Sequence, residues 1–345
     1  MQFGVIGSGS WATAIVKILT NRKQIVHWWI RDQGMIDHIQ DRHHNPRYLS
    51  SAGLDVSLLK MSTDIREVVQ SSTVLVMAVP SAYATDSLVA LQTGDLAGKK
   101  MVSAIKGLLP EKNILLNEYL EQRFGLPLND YFAVLGPCHA EEVAAEKLSY
   151  LTFSGTDLIT TSQIASHFSI SYINTIVNQD ILGVQYAAVL KNIYALGAGM
   201  AHGLDYGDNF LSVYIANAAD EMAGFLKKSG ARDITVGEHG AEDPLTHRKT
   251  PNYAASVYLG DLLVTCYSLY SRNRMFGNMI GKGYSVKTAQ LEMNMVAEGY
   301  NAARCIEAIN QKAGASIPIA HTIYKILWED VNVAEGFKRI EQVMV

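Results

Sequence analysis

The sequence predicts an α/β protein in which a first domain with a mostly parallel sheet is followed by an all-helical second domain. Short β-branched runs alternate with helical patterns in the first half, and the first run leads directly into a glycine-rich turn. Beyond about residue 183 these runs nearly vanish and helical spacing takes over. The chain has 345 residues, 48% of them hydrophobic and 18% charged, which is enough core material for two domains and excludes general disorder.

The first half contains short apolar runs with the length and composition of buried strands. The strongest run is closed by Pro80, and the run at 25–30 counts as a strand despite its two tryptophans. Helical spacing separates most of the runs, as in residues 10–20 and after Pro110, where proline suits a first helical turn. The predicted strands are residues 3–6, 25–30, 73–79, 102–105, 132–135, 151–154 and 173–177. Such alternation predicts a parallel sheet covered on both faces.

The second half carries apolar residues at helical spacing. The predicted helices are residues 184–200, 210–228, 285–313 and 322–329. We therefore place a domain boundary near Gly183 and predict domains over residues 1–183 and 184–345. The polar stretch 230–252, which contains two histidines, two prolines and several glycines, is predicted to be an extended surface loop.

A glycine-rich turn, Gly7-Ser8-Gly9-Ser10-Trp11-Ala12, separates the first predicted strand from the first helix. In a G-x-G-x-x-A turn the first glycine permits the bend, the second lets backbone approach a pyrophosphate, and the third small residue allows close packing. The helix that follows offers free N–H groups to an anion. Because glycine turns are common, the motif alone also fits a purely structural turn, but its position between a strand and a helix favours a Rossmann-like dinucleotide-binding domain.

The second predicted strand is followed by Arg31 and Asp32, about where a dinucleotide fold recognises the ribose. Arg31 is predicted either to lie against the adenine or to grip a phosphate, and Asp32 is a candidate acceptor for the ribose hydroxyl. A solvated charged pair at the end of a strand is the alternative interpretation. The choice between NADH and NADPH stays open at this point.

The charge balance and the cysteine content limit the kinds of partner and compartment. Formal net charge is −4, from 29 basic and 33 acidic residues, so no basic field for binding nucleic acid is expected. Three scattered cysteines predict neither a disulfide framework nor a zinc site and fit a reducing cytosol. The sequence begins without a basic, apolar leader, and its longest uninterrupted apolar runs have the length of strands, so a cytoplasmic protein without a membrane span is predicted.

Two polar elements interrupt the helical half. Lys191 and Asn192 lie inside the apolar segment 184–200, where a buried lysine needs partners, although an exposed helix face is the simpler alternative. Further on, Ser271, Arg272, Asn273 and Arg274 follow one another, and hydroxyl, guanidinium and amide groups suit a phosphate clamp. Taken alone, this second element also fits an ordinary helix surface.

Taken together, these segments resemble soluble bacterial NAD(P)-dependent glycerol-3-phosphate dehydrogenases. The similar pieces follow the family's order and span residues 3 to about 330, and the Lys-Asn and Ser-Arg-Asn-Arg elements are the most specific of them. They comprise residues 7–14, 104–107, 136–137, 140–142, 183–185, 191–192, 195–200, 202–203, 260–262, 265–266, 271–274 with Gly277, and 298–300.

The resemblance implies a role for each matching position. Lys191 corresponds to the catalytic, proton-transferring lysine. Positions implied to bind substrate are Lys106, Gly136, Cys138, Lys191, Asp261, Ser271, Arg272 and Asn273. Positions implied to bind the cofactor are Gly7, Gly9, Ser10, Trp11, Arg31, Lys106, Ala140, Arg272, Val296 and Glu298. No metal is implied.

The resemblance also implies the reaction. NAD or NADP, with the preference open, would exchange a hydride with a small three-carbon substrate, reducing dihydroxyacetone phosphate to sn-glycerol 3-phosphate reversibly and feeding glycerophospholipid synthesis. No nucleic acid partner is expected, and a homodimer is the usual state of soluble enzymes of this size. Cys138 departs from the family's usual serine or threonine, which puts one hydroxyl contact to the substrate in doubt.

Three other functions remain as alternatives. A β-hydroxyacid or 6-phosphogluconate-type dehydrogenase also combines a glycine turn with a lysine–asparagine pair, but residues 260–261 and 271–274 fit the glycerol phosphate pattern better. A cofactor-sensing protein that has lost catalysis shares the fold, although it would have no need to keep Lys106, Lys191, Asp261 and Arg272. An interaction scaffold would have to use the polar stretch 230–252, which offers little apolar anchor.

Overall fold

The structure, a computed structural model, describes residues 1–230, 254–293 and 297–344. Contacts within the chain separate two units, Met1–Ile105 with Ile114–Ile181, and Lys106–Asn113 with Leu182–Val345. The segment Lys106–Asn113 therefore groups with the second unit, whereas the sequence analysis assigned it to the first domain. Its anchors are side chains far away in the chain, because Asn192 binds the backbone oxygen of Lys106 at 2.8 Å and Arg304 that of Pro110 at 3.5 Å.

The first unit is built on one mostly parallel sheet, which has eight strands within the described residues. In chain order they are β1 (Phe3–Ile6), β2 (Val26–Trp29), β3 (Leu59–Ser62), β4 (Val74–Met77), β5 (Lys100–Ser103), β6 (Tyr131–Leu135), β7 (Ser149–Ser154) and β8 (Ile173–Asn178). Their order across the sheet is β3-β2-β1-β4-β5-β6-β7-β8, and of the neighbouring pairs only β6 and β7 run antiparallel. The first six strands follow the Rossmann order, which confirms the predicted fold class.

Burial explains which strands the sequence predicted. Every residue of β1, β4 and β6 is buried, as expected for parallel strands covered on both faces. β3 was missed because it lies at the edge of the sheet, where only Leu59 is buried and Lys60 is exposed. An edge strand needs no continuous apolar run, and a charged residue there discourages pairing with another chain.

Helices connect the strands of the first unit. They are α1 (Ser10–Asn21), α2 (Gln33–Arg42), α3 (Ile65–Gln70), α4 (Ala84–Ser87), α5 (Leu116–Phe124), α6 (Ala140–Ala144) and α7 (Leu158–Ser166). The expected helix start at Pro110 is wrong, because α5 begins at Leu116, where Glu118 accepts a hydrogen bond from the N–H of Leu115. Proline suits a first turn but does not by itself start a helix.

The second unit is helical, as the sequence predicts. After a π-helical segment at Ala254–Gly260 comes α10, and the helices are α8 (Ile181–Gly203), α9 (Asp208–Lys228), α10 (Asp261–Tyr267), α11 (Arg272–Gly281), α12 (Val286–Glu292), α13 (Glu298–Ala313), α14 (Pro318–Trp328) and α15 (Val333–Val343). The predicted single helix over residues 285–313 is wrong, since Met293 and Ala297 have extended backbone conformations. The predicted loop at 230–252 lies outside the described residues except for Gly230.

α8 is the longest of the described helices. It alone among the described helices is long and apolar enough to cross a membrane, but 89% of its apolar window is buried inside the protein, as in a core helix. Its glycines allow close packing, because a Cβ on Gly199 would clash with the backbone of Arg274 in α11. Lys191 and Asn192, which lie earlier on α8, are buried as well.

A buried carboxyl group, Glu221 of α9, caps the first turn of α14. It accepts hydrogen bonds from the N–H groups of Ile319 at 2.8 Å and Ala320 at 2.9 Å, and from the hydroxyl of Tyr194 at 3.1 Å. Burial raises the pKa of Glu221 to about 7, and the hydrogen bonds oppose this shift only in part. Glu221 was not among the residues predicted from the sequence.

The raised pKa of Glu221 makes the stability of the protein depend on pH. Between pH 4.5 and about 7 the native state keeps a proton on Glu221 that the unfolded state has lost. The free energy of unfolding should therefore fall as pH rises through this range, by up to about 3 kcal/mol from this group. Urea denaturation of wild type and of Glu221→Gln across this range measures the free energy of unfolding. The variant should not show the fall with rising pH that Glu221 causes. Glu121→Gln, which removes an exposed carboxyl group of α5, should keep the wild-type slope, and an equal slope in Glu221→Gln would contradict the assignment.

Candidate active site

The glycine-rich turn joins β1 to α1 and leaves its backbone open to a ligand. Gly7 has a φ of +120°, and a Cβ there would lie 2.5 Å from the backbone oxygen of Ala78, so only glycine fits. A Cβ on Gly9 would meet no atom within 4 Å. α1 begins at Ser10 without a side-chain cap, so its N-terminus can face an anion. This arrangement fits the pyrophosphate of a dinucleotide.

The other predicted residues of the turn lie at the start of α1. Ser10 and Trp11 are half-buried, and Ala12 is fully buried against the sheet. The indole of Trp28 in β2 donates a hydrogen bond of 2.7 Å to the backbone oxygen of Gly7. The turn is therefore held by β2 as well as by its own glycines.

A buried asparagine that the sequence analysis missed ties the next loop to the turn. Asn45 is fully buried, and its Nδ2 donates to the backbone oxygen of Ser8 at 3.0 Å and to the hydroxyl of Thr13 at 2.9 Å. Its Oδ1 accepts from the N–H groups of Arg47 at 3.0 Å and Tyr48 at 3.1 Å. The Asn-Pro pair at 45–46 was a signal for this, since such pairs begin turns.

Arg31 and Asp32 follow β2 but differ in their surroundings. Arg31 is exposed, and within the described part of the chain it has no ion-pair partner. Asp32 caps α2 by accepting from the N–H of Met35 at 3.3 Å, and its other oxygen lies 2.8 Å from the guanidinium of Arg47. Both oxygens of the Asp32 carboxylate therefore have partners within the protein.

The loop after β6 carries three predicted residues. Gly136 has a φ of +137°, and a Cβ there would lie 2.6 Å from the backbone oxygen of Tyr150. Cys138 is buried, and its thiol donates to the backbone oxygen of Gly136 at 3.1 Å. Ala140 is the buried first residue of α6. The loop geometry thus requires Gly136, and the thiol of Cys138 contributes to holding it.

The second unit brings the predicted lysine and aspartate into direct contact. Nζ of Lys191 lies 2.5 Å from Oδ2 of Asp261, and their side chains are 3% and 2% exposed. Burying two charges costs several kcal/mol, which can cancel the attraction between them. Stabilisation of the fold alone therefore does not explain this ion pair. The thiol of Cys266 lies beside it, where burial raises its pKa to about 12 and the charges of Lys191 and Arg274 oppose the shift.

A chain of amide hydrogen bonds begins at Asn192, the residue after Lys191. Nδ2 of Asn192 donates to the backbone oxygen of Lys106 at 2.8 Å, and its Oδ1 accepts from Nδ2 of Asn273 at 2.9 Å. Oδ1 of Asn273 accepts from the N–H of Gly299 at 2.9 Å. The backbone of Lys106, α8, α11 and the first turn of α13 are thereby connected, with Glu298 next to the last link. Asn273, predicted to touch substrate, therefore also has a clear positioning role.

The remaining predicted positions lie at the starts of α11 and α13. Ser271 caps α11 by accepting from the N–H of Arg274 at 3.2 Å, and Arg272 is exposed at the first helical position. Glu298 is the first residue of α13, and Val296 lies outside the described residues. The structure thus gathers Lys106, Lys191, Asp261 and Asn273 in one unit and Gly7, Gly9, Ser10 and Trp11 in the other. In the described ranges, no group of three potential metal ligands occurs.

Two sequence models of one family match most of the chain. The model described as NAD-dependent glycerol-3-phosphate dehydrogenase N-terminus matches residues 2–160. The model described as NAD-dependent glycerol-3-phosphate dehydrogenase C-terminus matches residues 180–338.

Individual proteins are similar over nearly the full length. The glycerol-3-phosphate dehydrogenase (NAD(P)+) of Streptococcus thermophilus is 33% identical over 97% of this chain and 94% of its own, and that of Macrococcus caseolyticus is 32% identical over 99% and 97%. Among solved structures, glycerol-3-phosphate dehydrogenase from Coxiella burnetii has a TM-score of 0.87 at 24% identity, covering 99% of this chain and 98% of that one. This last likeness concerns the fold alone.

Proposed function

This chain belongs to the NAD-dependent glycerol-3-phosphate dehydrogenase family, and on that premise we propose that Lys191 is the acid that protonates dihydroxyacetone phosphate during its reduction. The protein is an NAD(P)-dependent oxidoreductase that interconverts dihydroxyacetone phosphate and sn-glycerol 3-phosphate. The observation that carries the assignment of Lys191 is its buried contact with Asp261 at 2.5 Å. The product supplies glycerophospholipid synthesis.

The first unit has the features that a bound dinucleotide requires. The open backbone at Gly9 and the uncapped start of α1 would hold the pyrophosphate, with Ser10, Trp11 and Ala140 beside it. When bound, the reduced nicotinamide supplies the hydride that reduces the carbonyl carbon. Asn45 keeps the turn in this conformation by binding the backbone oxygen of Ser8.

Lys191 supplies the proton that the reduction requires. As the carbonyl carbon is reduced, negative charge develops on its oxygen, and a cationic donor stabilises that charge more than it stabilises the neutral carbonyl. The proton moves from Nζ of Lys191 to this oxygen, leaving a neutral amine that solvent re-protonates. In the oxidation direction the neutral amine accepts the proton of the alcohol. Asp261 holds the ammonium group of Lys191 in place before each reduction.

The amide chain fixes the lysines relative to each other. Asn192 follows Lys191 directly and binds the backbone oxygen of Lys106 at 2.8 Å. Because Asn192 is held in turn by Asn273, and Asn273 by the N–H of Gly299, the position of Lys106 depends on three helices. Correct placement of this kind matters, since small displacements of reacting groups reduce rates steeply. We assign the ammonium of Lys106 to substrate binding.

Arg272 is assigned to the substrate phosphate. It is exposed at the first position of α11, whose N-terminus also favours an anion, and its planar guanidinium matches two phosphate oxygens. Binding energy at this non-reacting group orients the carbonyl for reduction.

Replacing Arg272 with alanine should weaken substrate binding more than it slows turnover. We expect the KM for dihydroxyacetone phosphate to rise by about 10- to 100-fold, the size of a lost hydrogen bond to a charged group. Steady-state kinetics at saturating cofactor measure this change. Arg339→Ala, which removes an exposed arginine of α15, should behave as wild type. An unchanged KM in Arg272→Ala would remove this residue from the phosphate site.

The proposed reaction is tested by following the absorbance of reduced nicotinamide. Initial rates are measured for dihydroxyacetone phosphate with NADH and with NADPH, and for 6-phosphogluconate and hydroxyisobutyrate with NAD⁺ and with NADP⁺, because these two substrates are oxidised. We expect turnover with dihydroxyacetone phosphate and none with the other two. Turnover of 6-phosphogluconate or hydroxyisobutyrate instead would contradict the assignment, as would the absence of turnover with every pair.

A further inference from the structure

Two histidines meet where α2 ends. His38 lies in the second half of α2, and His44 follows the end of the helix. Their Nε2 atoms are 3.3 Å apart, and the two rings stand nearly perpendicular, with an interplanar angle of 86° and centroids 4.9 Å apart. Both residues are half-buried, so the rings are partly confined by the protein and still open to solvent. We call these two residues the histidine pair.

The chain reversal after α2 places His44 beside His38. His43, which ends the helix, has a left-handed backbone with a φ of 61°, and its backbone oxygen accepts from the N–H of Leu54 at 2.8 Å. On the other side of His44, Asn45 is fully buried and binds the glycine turn. Both neighbours of His44 are therefore held in place, and little further ordering is needed before the histidine pair can bind a ligand.

A backbone carbonyl determines which nitrogen of His44 carries a proton. Nδ1 of His44 lies 2.9 Å from the backbone oxygen of Arg42, and because a carbonyl oxygen can only accept, Nδ1 must donate. In the neutral ring the free lone pair is then on Nε2, which faces Nε2 of His38. Histidines that bind metals commonly have this arrangement, in which one nitrogen donates to a carbonyl and the other coordinates the ion.

The separation of the two Nε2 atoms fits a shared metal ion. Zinc binds histidine nitrogen at about 2.0–2.1 Å in tetrahedral geometry, so two such nitrogens lie about 3.3–3.4 Å apart. The observed separation is 3.3 Å. In the metal-free protein the contact is a hydrogen bond donated by His38. To bind the ion, His38 needs only to carry its proton on Nδ1 instead of Nε2, and a small rotation of each ring about its soft χ2 torsion directs both lone pairs at the ion.

We infer that His38 and His44 bind one divalent transition-metal ion of the class that imidazole ligands prefer, with zinc as its representative. No third potential protein ligand accompanies the pair within the described residues, so water completes the coordination and the ion exchanges readily. The bound ion joins α2 to the loop that carries Asn45, and it thereby stabilises the loop that holds the glycine turn. The ion takes no part in hydride or proton transfer, and the inference does not depend on the proposed function.

Zinc titration of the full chain, prepared without an affinity tag, tests the site. Calorimetry with zinc chloride at neutral pH, in a buffer that does not bind zinc, gives the stoichiometry and the dissociation constant. We expect saturable binding of zinc that depends on the histidine pair. Absence of zinc binding would overturn the inference, because the contact between the rings would then be a hydrogen bond and nothing more.

Amide substitutions remove the metal ligands and keep the local hydrogen bonds. His44→Asn places an amide N–H where Nδ1 donates to the backbone oxygen of Arg42, and His38→Gln keeps an N–H in the place of Nε2. Each variant should weaken zinc binding by at least about 10- to 100-fold, since loss of even an outer partner of a metal-bound histidine costs this much.

His43→Asn is the matched control. His43 is exposed and adjacent to His44, and asparagine tolerates the left-handed backbone at this position. This variant should bind zinc as wild type does. An equal loss in His43→Asn would mean that exposed histidines bind zinc without a built site, and it would overturn the inference. Unchanged binding in both amide variants would place the zinc at other histidines, such as His239 or His247, with the same consequence.

Hydrogen exchange tests whether the ion stabilises the loop. The N–H groups of Arg47 and Tyr48 are bound to Asn45, and that of Leu54 is bound to His43, so they report on opening of the loop. At a zinc concentration about ten times the dissociation constant, their exchange should slow by about tenfold, because the loop opens only after the ion has left. Zinc should not change their exchange in the variant that lacks the His44 ring. Unchanged exchange in zinc-loaded wild type would overturn the stabilisation of the loop.

Discussion

Replacing Lys191 with alanine is expected to lower kcat by about 10²- to 10⁴-fold, the usual contribution of a general acid. The proton for the developing alkoxide comes from Nζ of Lys191, and water in its place is a weaker and less well positioned donor. Cofactor affinity, measured by fluorescence titration of NADPH, should stay near the wild-type value, because the glycine turn lies in the other unit.

A second buried lysine provides the control for this experiment. Lys17 of α1 is 8% exposed and pairs with Glu146 at 2.8 Å, yet it has no assigned part in the reaction. Lys17→Ala also removes a lysine–carboxylate ion pair, although Glu146 is 54% exposed, and it should keep kcat. A kcat of Lys191→Ala close to that of wild type would exclude this lysine from the chemistry.

Replacing Asp261 with alanine should destabilise the protein by about 3–5 kcal/mol, because it leaves the ammonium of Lys191 buried without its counter-charge. The side chain of Lys191 is only 3% exposed and cannot recover its hydration in the folded state. Urea denaturation measures the change, and activity should fall as well, since Asp261 no longer holds the ammonium group of Lys191 in place.

A double variant tests whether the loss of stability comes from the unpaired charge of Lys191. Lys191→Met combined with Asp261→Leu replaces the ion pair with apolar side chains of similar size, and such replacements are often neutral or stabilising. The double variant should regain most of the stability and none of the activity. Comparable destabilisation in the double variant would mean that Asp261 acts through packing rather than through its charge.

Much of the fold and part of the candidate site could be predicted from local patterns in the sequence. The glycine turn was recognisable because the bend, the ligand approach and the helix packing each require small residues at fixed spacing over six positions. Lys191 and Asn192 stood out because charged and amide groups interrupt an apolar helix, and the structure buries both. The strands with continuous apolar runs were predictable for the same reason, as burial on both faces determines their composition.

Features that depend on distant contacts could not be predicted in this way. Segment Lys106–Asn113 joins the second unit through Asn192 and Arg304, which lie far away in the chain. The pairing of Asp32 with Arg47 depends on the course of the loop that Asn45 holds. The sequence shows Arg31 and Asp32 side by side after the second strand, and for that reason it left the cofactor preference open.

The most direct test of proton transfer by Lys191 is rescue of Lys191→Ala by small primary amines. The single-turnover rate of NADPH oxidation is measured with dihydroxyacetone phosphate bound and with increasing methylammonium. Because the substitution removes the donor together with its positive charge and leaves a cavity beside Asp261, a small ammonium ion can replace both. The rate should therefore rise with amine concentration and vary with the pKa of the amine, while wild type stays unaffected. If the variant binds cofactor and substrate normally but no amine changes its rate, or if its rate equals that of wild type without amine, Lys191 is not the proton donor.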